Sequence, residues 1–232
     1  MTTDATRYRQ AVELQGLSRT HHQIIDWLPR GGSVLELGCA SGYHGRLFME
    51  RKGCKVVGVE VDEAAAAEAR RLGLDVRVGS LEEASFRDSI EGPFDAVVAG
   101  DVIEHLRDPL PVLRHMRRWL RPDGRAIVAV PNIATWGMRK QLFFGGAFDY
   151  QETGILDRTH LRFFTWHSLL REVDAAGFRV VDSMFEIDHV AWKSLLTRVA
   201  LGPFKARVME RLTDRFPNLF AEHLALLLSP KP

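Results

Sequence analysis

Val34-Leu35-Glu36-Leu37-Gly38-Cys39-Ala40-Ser41-Gly42 reads as a buried strand that breaks into a turn of small residues. The segment after it, Tyr43 to Lys52, is amphipathic, so a ligand could approach backbone N–H groups at a helix N-terminus. Glycines keep that approach open, because a Cβ there would fill the space. A dinucleotide fingerprint GxGxxG begun at Gly38 needs glycine at positions 40 and 43, where this chain carries Ala40 and Tyr43. The turn therefore points to a nucleotide-like ligand and away from a nicotinamide one.

The chain has 232 residues, 46% of them hydrophobic, which suffices for one full core and leads us to expect a single domain over 1–232. A formal net charge of +1 offers no electrostatic footprint for duplex nucleic acid, so no nucleic-acid partner is expected. No apolar run approaches the roughly 20 residues that span a bilayer, and the start of the chain, with Asp4, Arg7 and Arg9, lacks a signal-peptide core. The expectation is a cytoplasmic protein without a membrane partner. Cys39 and Cys54 make neither a disulfide framework nor a thiolate metal cluster, and read as reduced packing residues.

Beyond the opening strand, Lys55 to Glu60 reads as a second strand, followed by an alanine-rich helix from about Glu63 to Leu72 and a third strand from Leu74 to Val78. A fourth strand spans Phe94 to Ala99, a helix runs from Pro109 to Leu120, and Arg121-Pro122-Asp123-Gly124 stops it before a fifth strand, Arg125 to Val130. Thr165 caps a helix reaching Ala176, Gly177 ends it, and Phe178 to Phe185 and His223 to Leu228 supply two further strands. Repeated βαβ units of this kind build a parallel, doubly wound α/β sheet. Three segments stand outside the alternation: 1–30, read as an N-terminal helical lid, and 132–164 and 187–221, read as substrate-cap insertions. The second carries Trp136, Phe143, Phe144, Phe148 and Tyr150, and the third Trp192, Leu195, Leu196, Val199 and Phe204; these either line a substrate pocket or form a mini-core.

With Glu36 two residues before Gly38, the opening run resembles motif I (ExGxGxG) of class I S-adenosylmethionine (SAM) dependent methyltransferases. Ala40 replaces the middle glycine; alanine accepts most backbone conformations except positive φ, so the departure reads as mild. Phe94-Asp95-Ala96-Val97-Val98-Ala99-Gly100-Asp101-Val102-Ile103-Glu104-His105-Leu106 is similar to the "DxV…D-V-hydrophobic-E-H" string of the ubiquinone-biosynthesis-type and related small-molecule methyltransferases. Trp119 to Arg125 resembles the same family's L(K/R)PGG turn, and the motif order fits over roughly 30 to 185. The resemblance implies a Rossmann-like, mostly parallel seven-stranded sheet with helices on both faces and a last antiparallel edge strand.

It also implies SAM as cofactor and S-adenosylhomocysteine as product. Glu60, closing the second strand, would accept hydrogen bonds from both ribose hydroxyls, since a carboxylate's two oxygens match a diol. Where the family usually places an aspartate on the adenine amino group this chain has Ser80, so the contact falls to its hydroxyl or to the Leu81 backbone; Ser80 also reads as a helix N-cap with Glu83 in a capping box. Glu36, Gly38, Cys39, Ala40, Gly42 and Val61 would complete the cradle, with Asp101 and Val102 closing the pocket. His44 would meet the SAM carboxylate, or else face solvent, and Tyr8 would close over the cofactor from the N-terminal helix.

A second stretch, Thr153-Gly154-Ile155-Leu156-Asp157-Arg158-Thr159-His160-Leu161-Arg162-Phe163-Phe164-Thr165, resembles the D-x-x-H-x-R-x-F-T segment of methyltransferases encoded with glycan and natural-product pathways. Methyl transfer is an in-line displacement, in which a protein positions the acceptor and removes its proton. A neutral histidine suits that role, so His105 and His160 are the base candidates and Asp157 would orient one imidazole or bind the acceptor. Asp101, Glu104, His105, Asp157 and His160 could ligate a cation, but Asp101 and Glu104 sit where the resemblance places them in metal-free relatives, and no metal is expected. His21, His22, His115, His167, His189 and His223 show no partner pattern and read as surface or core-edge residues, and the arginines at 114, 117, 118 and 121 as a solvated face. The acceptor implied is a small molecule, foremost a sugar or natural-product hydroxyl. An N- or C-methyltransferase, a non-catalytic SAM-binding subunit and a nicotinamide oxidoreductase are the alternatives, and Trp192, Leu195 and Phe204 leave a homodimer open.

Overall fold

A computed structural model describes residues 17–188 and 205–232. Tyr8, His189, Trp192, Leu195, Leu196, Val199 and the side chain of Phe204 lie outside the described residues. In chain order the elements are α1 (Arg19–Trp27), β1 (Ser33–Leu37), α2 (Tyr43–Lys52), β2 (Lys55–Glu60), α3 (Glu63–Arg71), β3 (Asp75–Val78), α4 (Ala84–Ser89), β4 (Phe94–Gly100), α5 (Pro109–Trp119), β5 (Leu120–Pro131), α6 (Trp136–Lys140), α7 (Trp166–Ala175), β6 (Phe178–Ile187), α8 (Lys205–Arg215), α9 (Pro217–Phe220) and β7 (Ala221–Pro230).

The strands form one seven-stranded sheet in the order β3-β2-β1-β4-β5-β7-β6. β3 through β5 pair in parallel, and β7 runs antiparallel to both β5 and β6. The doubly wound, mostly parallel sheet with an antiparallel last strand is thus present, with one refinement: β7 lies between β5 and β6, and β6 forms the rim. Burial explains the order. Leu224, Ala225, Leu226 and Leu228 of β7 are fully buried, whereas β6 leaves Val180 and Val181 exposed, and a strand apolar on both faces belongs inside a sheet.

Alternate residues of each strand feed two cores. Leu35, Leu37, Val97 and Ala99 face one layer, packed by Leu113 and Met116 of α5 and Leu169 and Val173 of α7. Val34, Ala96 and Val98 face the other, packed by Ile24 and Ile25 of α1, Phe48 of α2 and Ala66 and Ala69 of α3. Period two therefore turns Glu36 toward the α1–α2–α3 side. Both cysteines are buried and reduced. α1 is anchored to the rim, since the backbone N–H groups of Arg19 and Thr20 and the Thr20 hydroxyl donate to the Glu186 carboxylate at 3.2, 3.1 and 2.7 Å.

The expected cap at Thr165 is present, sharing a capping box with Ser168. The Ser80 cap is not: α4 begins only at Ala84 behind Glu83, and the Ser80 hydroxyl accepts from the Glu82 backbone at 3.2 Å. A short hydroxyl-to-backbone turn three residues upstream of the helix takes the place of the cap. Strand order reverses between β1 and β4, and in such sheets that switch opens a crevice beyond the carboxyl ends of the strands.

Candidate active site

At the end of β1, Gly38 and Gly42 adopt φ of +61° and +82°. Space as well as conformation demands glycine there: a Cβ would come within 2.7 Å of Val102 Cγ2 at the first and 2.7 Å of Ala69 Cβ at the second. Val102 accordingly supports the turn from beneath. Ala40, between them, has φ +47°, the one region the sequence reading assumed it would avoid. The departure from glycine is not mild, and the left-handed conformation costs an L-residue roughly 1–2 kcal/mol. Ala40→Gly should therefore raise stability by about 0.5–1 kcal/mol once the greater freedom of the unfolded glycine is subtracted. A shift of the urea midpoint at constant slope would register it, and an unchanged midpoint would show that the methyl group packs well enough to offset the strain.

The Ala40 backbone is tied to Glu60. Its Oε2 accepts the Ala40 N–H at 2.9 Å, while Oε1 accepts those of Val61 and Asp62 at 2.8 and 2.9 Å. One carboxylate thus ties the glycine turn of β1 to the end of β2, beside the exposed Val61. Glu36 is 4% exposed, and its Oε2 has no hydrogen-bond partner. Burial pushes its pKa up to about 8, against the pull of the Gly45 backbone N–H. His44 Nδ1 stands 4.0 Å from Glu36 Oε1, its ring 4.4 Å from that of His21. Burial holds this imidazole down at about 3, with His21 pushing the same way, so His44 is a neutral group inside the site and not a solvent-facing one.

On the switch-point loop after β4, Asp101 has φ +54°. Burial disfavours its charge, but His223 Nε2 at 2.5 Å outweighs this and, with His21 and His44, holds the acid at about 2. His223 is raised in turn, because Asp101 overrides its own desolvation. His21 and His223 were expected at the surface or core edge; both belong to this cluster. The missed signal lay in β7, whose antiparallel course sets His223 opposite Pro131 at the carboxyl end of β5.

A second group stands on the other side of Asp101. The backbone carbonyl of Glu104 accepts from Leu161 and Arg162 at 2.8 and 2.9 Å, which pins the 153–165 segment against the loop. His105 and His160 consequently meet with ring centroids 4.8 Å apart. His160 is 8% exposed and donates from Nδ1 to the Ile155 carbonyl at 3.0 Å. Asp157 Oδ1 accepts from the Thr159 hydroxyl at 2.6 Å, and Thr159 Oγ1 lies 3.1 Å from His105 Nδ1. Since that hydroxyl spends its proton on Asp157, it accepts from His105, as does the Thr159 carbonyl at 3.3 Å. Nδ1 is therefore the donor on both imidazoles, so in the neutral ring Nε2 is the acceptor. Burial, then the neighbouring His160, lowers the pKa of His105. Glu104 is raised well above the usual carboxylate range by burial and by Asp101.

The aromatic insertion divides its work. Trp136 packs on a small core of Ile187, Met209 and Phe220, while Phe148 and Tyr150 meet Phe163 at 5.4 and 6.4 Å, and Phe163 stands 6.4 Å from His160. Phe143 and Phe144 are exposed. Ser80 and Leu81 lie at the end of β3, where the Leu81 carbonyl is taken by Arg87 Nη1 at 2.6 Å.

A glycine turn on β1, an acid closing β2 and an acid on the loop after β4, set around one switch point, define a doubly wound domain built to hold a nucleoside cofactor. The chain belongs to the methyltransferase domain family, whose model matches residues 6–183. It is 32% identical over 186 residues to a Mycolicibacterium smegmatis protein described as an S-adenosylmethionine-dependent methyltransferase, an alignment covering 79% of this chain and 66% of that one. To the ubiquinone biosynthesis O-methyltransferase of Pseudomonas aeruginosa it is 29% identical over 117 residues, or 47% of this chain and 50% of the relative. The chain thus matches only about half to two thirds of these relatives' lengths. A SAM-dependent methyltransferase from Thermotoga maritima shares the fold at a TM-score of 0.63 and 18% identity, over 97% of this chain and 95% of that one.

SAM is the cofactor the family implies, and the residues fit it. The partnerless, buried Glu36 Oε2 is an acceptor waiting for a donor such as an ammonium, and the exposed Gly38 at positive φ leaves the backbone open to approach. Among the described residues no helix is long and apolar enough to cross a membrane.

Proposed function

We propose that this chain transfers a methyl group from SAM to a hydroxyl oxygen of a small molecule, foremost a sugar or natural-product intermediate. The observation that carries the proposal is the pair of imidazoles, His105 and His160, brought together with each Nδ1 engaged as a donor, which leaves Nε2 as the atom that can meet an acceptor. When bound, SAM supplies a methyl carbon activated by its sulfonium. Glu36, Gly38, Cys39, Ala40, Gly42, His44, Glu60, Val61, Ser80, Leu81, Asp101 and Val102 form the cofactor side. The acceptor lies over His105 and His160, one of which takes the hydroxyl proton on Nε2. Asp157, acting through the Thr159 hydroxyl, orients His105 for this. The 132–164 segment caps the acceptor within one cytoplasmic domain, and the resemblance of 153–165 to glycan and natural-product methyltransferases favours a polyhydroxylated acceptor.

The test releases S-adenosylhomocysteine from SAM in the presence of a panel of sugars, sugar nucleotides and phenols. His160→Ala or His105→Ala should lower kcat on the accepted compound by about 10²–10⁴, while calorimetric binding of S-adenosylhomocysteine stays unchanged. Full turnover by both variants would remove the imidazoles from the chemistry, and no binding of S-adenosylhomocysteine by the intact protein would remove the methyltransferase reading.

A further inference from the structure

Glu104, His105 and His160 together hold more ligand capacity than a general base needs. Each offers one donor atom, and the three lie within 4.8 Å of one another. Glu104 is 1% exposed, and neither carboxylate oxygen accepts a hydrogen bond. A buried carboxylate with both oxygens unpartnered is rare in folded proteins and calls for an ion or a donor to satisfy it. Asp101 lies within hydrogen-bonding reach, so without an ion the raised Glu104 carboxyl keeps its proton toward Asp101, and a cation would take that proton's place.

The two imidazoles are prepared for the same ion. A metal-ligating histidine commonly donates its other ring N–H to a carbonyl or carboxylate, which fixes the tautomer and the plane of the ring. His160 donates from Nδ1 to the Ile155 carbonyl, and His105 donates to Thr159, whose hydroxyl leans on Asp157. Both Nε2 atoms are left as donors to a cation. The hydrogen bonds from Leu161 and Arg162 to the Glu104 carbonyl tie the two halves of the group together. Bonds of about 2.0–2.2 Å place neighbouring ligand atoms roughly 3–4 Å apart, so closing from the observed spacing takes only a small side-chain adjustment.

We propose that Glu104, His105 and His160 bind one divalent first-row transition-metal ion, zinc and cobalt being the probes, whose remaining coordination positions hold and acidify the acceptor hydroxyl. Two nitrogens with one carboxylate disfavour magnesium and calcium, which take oxygen cages, and suit zinc, manganese or ferrous iron. Three protein ligands leave positions open, as in sites where a metal lowers the pKa of a bound O–H. The proposal rests on the reading that the acceptor lies over these imidazoles and revises it in one respect: with the ion bound, both Nε2 lone pairs are engaged, so polarisation by the ion replaces the imidazole base and the proton passes to solvent.

The experiment titrates the full chain, first stripped with chelator, with Zn²⁺ by calorimetry and with Co²⁺ by visible absorption, and in parallel with S-adenosylhomocysteine. One equivalent of metal is expected, with Glu104→Gln and His160→Gln weakening it at least about tenfold, and S-adenosylhomocysteine affinity held within about twofold. His105→Gln, at a partly exposed position, carries the test should either buried variant fail to fold. No stoichiometric metal in the wild type, or metal affinity unchanged in the folded variants, overturns the site. S-adenosylhomocysteine binding without metal leaves the methyltransferase reading standing alone, whereas metal without S-adenosylhomocysteine sinks that reading and keeps the site.

Discussion

Glu36→Gln is expected to stabilise this protein, and to do so increasingly as the pH rises from 5 to 8. In the folded chain burial raises the Glu36 carboxyl from its ordinary 4.5 to about 8. Between those values the unfolded chain has released the proton and the folded chain has kept it, so the unfolded state binds fewer protons and stability falls with each unit of pH. The wild type therefore sheds on the order of 3 kcal/mol from this one group between pH 5 and 8, a penalty glutamine does not carry. Urea unfolding of both proteins at pH 5, 6, 7 and 8 measures it: the difference between them should widen with pH and level off above about 8. A difference constant across that range would show that Glu36 is ionised in the fold. The same substitution should weaken S-adenosylhomocysteine about tenfold, because a carboxylate offers a ligand ammonium a charge-assisted hydrogen bond that an amide does not. Stability and binding would move in opposite directions, as is common where a site holds a group the fold alone disfavours.

Why the sequence discloses Glu36 but not its energetics illustrates how much was legible. The strands and helices around it follow from local pattern: apolar runs ending in glycine for β1 and β2, an alanine-rich face for α3, Thr165 as a cap for α7. These depend on neighbours in the chain, and the structure has them within a few residues of the expected bounds. The order of strands at the far edge depends on which strand is apolar on both faces, a property of burial. Hence His223 was read as a bystander although β7 delivers it to Asp101. Ser80 fails as a cap because α4 starts only at Ala84, with the Phe86 ring packed against Gly79, a contact no local signature records. Ala40 shows the converse: the sequence singles the residue out, and only its φ, in a turn tied to the distant Glu60 carboxylate, was beyond reach. Among the site residues, the sequence offers His105 and His160 as base candidates and Asp157 to orient one imidazole or bind the acceptor; what could not be read was that Asp157 reaches His105 through the Thr159 hydroxyl.

Glu60→Ala should abolish cofactor binding and loosen the turn at once, and the two losses can be separated. A carboxylate receiving two ribose hydroxyls contributes roughly 1.5–3 kcal/mol per hydrogen bond, so affinity for S-adenosylhomocysteine should fall by about 100-fold or more. Without ligand the same oxygens satisfy the N–H groups of Ala40, Val61 and Asp62, so the variant also strands three donors and should lose about 1–3 kcal/mol of stability. Glu60→Gln keeps one acceptor oxygen, and a smaller loss on both counts is the expected result. The decisive comparison combines Glu60→Ala with Ala40→Gly. If the carboxylate is what holds residue 40 at positive φ, its removal frees Ala40 to relax, and the gain from glycine shrinks in the Glu60→Ala background. An additive cycle would mean that the turn, fixed by Gly38 and Gly42 against Val102 and Ala69, imposes the strain without help from Glu60. A coupled one would make Glu60 the group that shapes the cradle before any ligand arrives, so that binding exchanges the Ala40 amide for a ribose hydroxyl at the same oxygen.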